Sequence, residues 1–326
     1  MKPKLLIIRE IENHTMNILA KHFEIDYRPD CSQEQLQNII QDVQALLTMG
    51  TSINEKLIKN APNLKIVSNI SVGYDNFDTD AMKKAGILGT HTPYVLNDSV
   101  VDLTFGLMLS AARRISELDS IVKKGLWTVK ADINYYGLNV HHKKLGIIGM
   151  GRIGEDLAKR AKLGFLMDVS YYNRHKKPEL EEENITWKPL EQLLQDSDFI
   201  VMLTPLTEET KNMIDASRFK QMKNTAIFIN MSRGSTVDEN ALYNALLNKE
   251  IYAAASDVFV QEPVNSDNPL LQLDNFTATP HIGSASHETR NDMAQLAAEN
   301  LIEVFINGKQ QNIVPELQLL VEKNTF

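Results

Sequence analysis

Leu145-Gly146-Ile147-Ile148-Gly149-Met150-Gly151-Arg152-Ile153-Gly154 is the stretch on which the fold turns. A short apolar run reads as a buried strand and leads straight into a GxGxxG. Ile153, Leu157 and Ala161 then continue at four-residue spacing, the mark of one helix face. Three glycines in a turn carry little alone. Between a strand and a helix each has a role. Gly149 permits the tight turn, Gly151 lets the backbone approach a pyrophosphate, and Gly154 lets helix and strand pack closely. The N–H groups at the helix N-terminus can then serve a phosphate. The pattern predicts a dinucleotide-binding unit.

The same alternation extends in both directions. Downstream, 169–172, 199–203, 226–229 and 251–255 read as strands, with helical patterns at 153–162, 189–195, 215–221 and 238–247. Upstream, strands at 5–8, 23–27, 45–47 and 64–67 alternate with helices at 11–21, 32–40, 54–59 and 78–84. Apolar strands alternating with helices imply parallel sheets covered on both faces. The fold class is therefore α/β, with two Rossmann-like or flavodoxin-like domains. A last helical stretch at 286–307 is expected to return to the first domain and make it discontinuous. The expected boundaries are 1–98 with 286–326 for one domain and 99–285 for the other. Between them, 99–124 lacks proline and keeps a helical apolar stripe up to Gly125. It predicts one helix of about 39 Å at 1.5 Å per residue, long enough to bridge domains or pack on a second subunit. Trp127, just beyond, reads as a core residue.

Composition narrows the function classes. The chain has 326 residues, 43% hydrophobic and 23% charged, enough to bury a core without staples. A single cysteine, Cys31, excludes an internal disulfide and a cysteine-built zinc site, and suits a reducing cytoplasm. With 34 Lys and Arg against 42 Asp and Glu, the net charge of -8 is a poor match for nucleic acid or an anionic membrane. No apolar stretch approaches a membrane span, and the apolar run at 5–8 is too short for a signal-peptide core. The histidines lack metal-ligand company, so no metal is expected.

The strand at 169–172 indicates which dinucleotide binds. In the NAD form it ends in a carboxylate that accepts bonds from the ribose hydroxyls. Here it ends in Asn173-Arg174-His175-Lys176-Lys177. Asn173 is neutral, and the Arg174 guanidinium can take a 2′-phosphate bidentately. The reading is NADP, with NADPH preferred and NAD as the alternative. Further on, Arg233 follows a strand's carboxyl end, where open α/β sheets bind ligands, and can hold a carboxylate. His281 can give or take a proton, and Glu262 beside it would fix its tautomer. From spacing alone, ordinary loop residues remain an equal reading.

Together these segments resemble the D-isomer-specific 2-hydroxyacid dehydrogenases over nearly the whole chain. The resemblance rests on Ser71-Val72-Gly73-Tyr74-Asp75-Asn76, Asp102-Leu103-Thr104, Ala111-Ala112-Arg113-Arg114 and the glycine motif. It continues through Thr204-Pro205-Leu206-Thr207 with Thr210, Asp238-Glu239-Asn240-Ala241-Leu242, and the segments of Arg233, Glu262 and His281. Residues 171–177, His141-His142 and Pro280 to Ala285 are most similar to the bacterial glyoxylate/hydroxypyruvate reductase branch. The resemblance implies His281 as general acid, Glu262 as its partner, Arg233 as the substrate's anchor, and the N–H groups of Val72 and Gly73 on the substrate carboxylate. It implies Gly151, Arg152 and Ile153 on the pyrophosphate, with Asn173 and Arg174 at the adenosine. Pro205, Thr210 and Asp257 are implied along the nicotinamide ribose and carboxamide, and Thr104 against the cofactor. The overall reading is a cytoplasmic homodimer, joined through the long helix, that reduces small 2-oxo acids: glyoxylate, hydroxypyruvate and 2-ketogluconate. The alternatives are an NAD-linked dehydrogenase of the D-lactate or phosphoglycerate type, or a non-catalytic dinucleotide sensor. Three positions depart from the common pattern: Ala255-Ser256 before Asp257, Val260 in place of an acid, and Ser232 before Arg233.

Overall fold

The computed structural model describes residues 1–128, 130 and 133–320. The chain divides into two compact units, Met1–Leu96 with Ala285–Phe326, and Asn97–Ser284. The first is built on a parallel sheet of β1 (Lys4–Ile7), β2 (Glu24–Tyr27), β3 (Ala45–Thr48), β4 (Ile66–Asn69) and β5 (Leu88–Thr90). Its order is β2-β1-β3-β4-β5. Every residue of β3, β4 and β5 is buried, as parallel strands covered on both faces require. Helices Gln33–Ile39, Glu55–Lys59 and Thr79–Ala85 start on side-chain caps. Ser32 and Gln35 form a reciprocal capping box, and Asn54 and Asp78 accept from the third residue onward. The chain's last segment completes this unit. Ser68 Oγ donates to the Ala297 carbonyl at 2.9 Å, Asn300 Nδ2 donates to that of His91 at 2.9 Å, and Ile313 bridges Thr90.

The second unit holds β6 (Lys144–Ile148), β7 (Asp168–Tyr172), β8 (Thr186–Trp187), β9 (Phe199–Met202), β10 (Ile227–Asn230), β11 (Ala253–Ser256) and β12 (Phe276–Ala278). They form one parallel sheet in the order β12-β11-β10-β9-β6-β7-β8. The chain moves outward from β6 to β8, then returns to the other side of β6 with β9. That reversal opens a crevice at the carboxyl ends of β6 and β9. One face is covered by helix Asn97–Arg113, whose Val101, Phe105 and Met108 join Leu145, Ile147 and Val169 in the core. The other face buries Leu193, Phe219, Phe228 and Leu246.

The long helix expected at 99–124 is two helices. Asn97–Arg113 ends where Arg114 turns left-handed, with φ of 57°, and Ile115–Lys123 starts afresh. The Arg114 guanidinium pairs with Glu117 of the new helix and reaches the Asn134 carbonyl. The break follows the packing. The first helix buries a face on the sheet, whereas no residue of the second is buried. Trp127, read as core, is 58% exposed, and Ile115, Val122, Leu126, Ile133 and Tyr136 are exposed with it. The last helix runs His287–Asn300 and continues as a π-helical turn over Leu301–Ile306. Strands β5, β8 and β12 were not expected. Among the described residues, no helix is long and apolar enough to cross a membrane, and no cluster of three or more His, Cys, Asp or Glu could hold a metal.

Candidate active site

The glycine turn leaves β6 at the sheet's reversal. Gly149 has φ of +101°, and a Cβ there would lie 2.8 Å from the Leu203 carbonyl carbon and the Thr204 nitrogen. Any side chain would drive the turn off the loop after β9. At Gly154 a Cβ would come 2.8 Å from the Gly149 oxygen. A Cβ at Gly151, in contrast, would meet nothing within 4 Å. The turn is closed behind and open in front, at the start of helix Arg152–Phe165. That shape fits the pyrophosphate of a dinucleotide.

The residues around the turn are fixed by short-range bonds. The Met150 N–H donates to Asn173 Oδ1 at 2.7 Å, and Asn173 Nδ2 donates to the Met150 carbonyl at 3.1 Å. The Asn173 amide therefore clamps the glycine turn. Arg174 Nη1 lies 2.7 Å from Glu209 Oε2. Thr210 Oγ1 donates to the Pro205 carbonyl at 2.7 Å and accepts from the Thr207 N–H at 2.7 Å, tightening the loop after β9. Thr104 was expected against the cofactor. It has no exposed surface, and its hydroxyl donates to the Val100 carbonyl at 2.7 Å.

Three loops bring the candidate catalytic side chains together. After β10, Asn230 Oδ1 accepts from the Ser232 N–H at 3.0 Å, and Asn230 Nδ2 donates to the Arg233 carbonyl at 3.2 Å. Arg233 Nη1 donates to the Ser232 carbonyl at 2.8 Å. The next residue must be glycine for space. A Cβ on Gly234 would fall 1.9 Å from the Phe259 carbonyl carbon and 2.2 Å from the Val260 nitrogen. The arginine loop thus lies directly on the loop that carries Glu262. There the Phe259 N–H donates to Glu262 Oε1 at 3.0 Å, and His281 Nδ1 donates to Glu262 Oε2 at 2.6 Å.

Asp257 fixes the third loop. Its buried carboxylate accepts from Thr279 Oγ1 at 2.6 Å, from the Ile282 N–H at 2.8 Å and from the Gly283 N–H at 2.8 Å. These bonds bracket His281, which adopts a left-handed φ of 54°, uncommon outside glycine. Burial pushes the Glu262 carboxyl up. The His281 bond, the Phe259 N–H and the charges of His281 and Arg233 outweigh it and hold the carboxyl below its ordinary range. A cavity of about 510 Å³ opens beside the pair, lined by Phe259, Pro263, Val264 and Thr279.

The structure therefore joins Glu262 to His281 by a bond and places the Arg233 loop against the Glu262 loop. In the first unit, the loop after β4 has its carbonyls engaged. His91 Nδ1 donates to that of Val72 at 2.9 Å, and Asn69 Nδ2 to that of Gly73 at 3.0 Å. Sequence reasoning did not find the Gly234 contact or Asp257's hold on the histidine loop. The only signal for the first was a glycine directly after the arginine. The second depends on contacts across more than twenty positions.

Residues 105–283 match the family model of the D-isomer specific 2-hydroxyacid dehydrogenase NAD-binding domain. Over 318 residues the chain is 44% identical to glyoxylate/hydroxypyruvate reductase B of Escherichia coli, covering 96% of this chain and 98% of that one. An NADPH-dependent glyoxylate/hydroxypyruvate reductase from Sinorhizobium meliloti, solved with NADP and malonate, superposes with a TM-score of 0.87 at 30% identity, over 98% of each chain. A glyoxylate reductase from Paecilomyes thermophila gives 0.87 at 28% identity, over 97% of this chain and 99% of that one. With a glycine turn that fits a dinucleotide and a bonded histidine–glutamate pair beside an arginine loop, the chain belongs to the D-isomer specific 2-hydroxyacid dehydrogenases, oxidoreductases with a Rossmann-type NAD(P)-binding domain, on the branch of the glyoxylate/hydroxypyruvate reductases B.

Proposed function

We propose that this protein reduces small 2-oxo acids to D-2-hydroxy acids with NADPH, taking glyoxylate and hydroxypyruvate first and 2-ketogluconate next. The observation that carries the reading is the 2.6 Å bond from His281 Nδ1 to Glu262. It commits Nδ1 to donation and leaves Nε2 to face a substrate. The nicotinamide, when bound, supplies the hydride that the carbonyl carbon accepts. His281 Nε2–H gives its proton to the carbonyl oxygen, and Glu262 stays ionised to stabilise the imidazolium before transfer. The Arg233 guanidinium pairs with the substrate carboxylate and draws charge onto the carbonyl oxygen. Gly151, Arg152 and Ile153 hold the pyrophosphate, and Arg174 the adenosine end. Asp257 acts through the histidine loop it holds.

Replacing His281 by alanine should lower kcat for glyoxylate reduction by roughly 10²–10⁴-fold, followed as loss of nicotinamide absorbance. Wild-type turnover in that variant would remove the residue from the acid's role. No oxidation of NADPH by the native protein with any 2-oxo acid would leave the sensor reading in its place. The exposed apolar side chains Ile115, Val122, Leu126, Trp127, Ile133 and Tyr136 support a homodimer formed through this segment. One free cysteine supports a reducing, cytoplasmic setting.

A further inference from the structure

We propose that Glu209 is a cofactor-selecting residue: it pairs with Arg174, and that pair must open before the guanidinium can take a ribose 2′-phosphate. The proposal deepens the reading above and rests on NADP(H) docking along the glycine turn. After β7 the chain offers Arg174, Lys176 and Lys177 as permanent cations. The structure engages each of them. Lys176 Nζ sits 4.5 Å from the ring centre of Trp187, and Lys177 pairs with Glu155 on the helix after the glycine turn. Both partners lie on the β7 side of the turn or on its own helix. Arg174 alone among the three reaches the opposite side, to Glu209 at 2.7 Å.

Sheet order makes this pair a clasp. Strand β6 lies between β9 and β7, and the glycine turn leaves its end. Arg174 follows β7 and Glu209 follows β9, so their ion pair joins the two loops that flank the turn. Neither loop is loosely placed. Asn173 is clamped to Met150 and its carbonyl accepts from Trp187 Nε1 at 3.0 Å, while Thr210 ties its own loop to Pro205. The Arg174 and Glu209 side chains are 74% and 67% exposed, so water screens the pair and it opens at small cost.

The consequence is a difference between the two cofactors. A 2′-phosphate offers Arg174 a bidentate dianion in exchange for the carboxylate, but leaves the Glu209 anion nearby to repel it. A plain ribose asks for no exchange. Glu209 therefore weakens the phosphorylated cofactor selectively and narrows a preference that Arg174 alone would make steeper.

Calorimetry with adenosine 2′,5′-bisphosphate and with 5′-AMP tests this without turnover. Glu209→Gln should bind the bisphosphate about three- to tenfold more tightly and 5′-AMP as the native protein does. In an Arg174→Gln background the same change should gain less than in the native protein, because the pair no longer has to be released and only the repulsion of the phosphate by Glu209 is relieved. Equal gains for both ligands, or none for the bisphosphate, would overturn the proposal while leaving NADP(H) binding through Arg174 standing. If Arg174→Gln itself leaves bisphosphate affinity unchanged, the assignment of Arg174 falls, and Glu209 with it.

Discussion

At the scale of single residues, the chemistry depends on how Glu262 stays charged while partly covered. Its carboxyl is held below the ordinary range, because the His281 bond, the Phe259 N–H and two nearby cations outweigh burial. A lowered carboxyl stabilises the folded protein fully above its unfolded pKa of about 4.3 and loses that contribution as pH falls through the lower folded value. Glu262 is therefore anionic throughout the neutral range, and any activity loss between pH 5 and pH 6, on the order of that window, belongs to another group. Glu262→Gln keeps the shape and removes the charge. The kcat/KM for glyoxylate should then fall by roughly 10²-fold or more, since the amide no longer stabilises the charged ring formed around proton transfer. An unchanged kcat/KM in this variant would show that the pair does not govern the proton. Arg233, Glu262 and His281 stood out in the sequence because their chemistry is unusual in loops and their motifs match a family. Asp257 stood out for a contact with the cofactor. Its three accepted bonds to the 279–283 loop become visible only when β11 and the histidine segment are brought together.

At the scale of elements, the glycine turn is held by Asn173 as well as by its own glycines. The paired bonds to Met150 close the turn from the β7 side. Asn173→Ala removes both and leaves two backbone groups unsatisfied, at a cost of about 1–3 kcal/mol. Since the pyrophosphate is common to both cofactors, NADPH and NADH should weaken by similar factors, measurable as parallel rises in Kd. A loss confined to NADPH would instead give Asn173 the adenosine role that its position suggested. The central strands were legible because each is a continuous apolar run, such as Phe199–Met202, framed by helical patterns. Strands β5, β8 and β12 were not, being two or three residues long and taking their shape from neighbours. The helix at 99–124 misled for a different reason. Its apolar stripe does run through, but beyond Arg113 the stripe no longer faces the sheet. Periodicity reports an apolar face and does not say what covers it.

At the scale of the whole molecule, that uncovered face gives the clearest test. Ile115, Val122, Leu126 and Trp127 are all more than half exposed, on a helix without one buried residue and the turn after it. Val122→Asp places a charge in the middle of this surface. In sedimentation it should shift the protein from dimer to monomer at micromolar concentration, with circular dichroism unchanged. A native protein already monomeric at those concentrations would sink the homodimer. The α/β class was readable from alternation alone, and the glycine turn located the dinucleotide unit.

The interrupted first unit also has a consequence for how the chain matures. Its sheet is written before residue 97, yet its closing helix and the Ile313 bridge are written after residue 284. On a ribosome the intervening unit is contiguous and can fold as soon as it emerges, while the earlier β-strands wait for the tail. The amino-terminal strands can acquire their lasting cover only once the segment that carries Ala297 and Ile313 has been made.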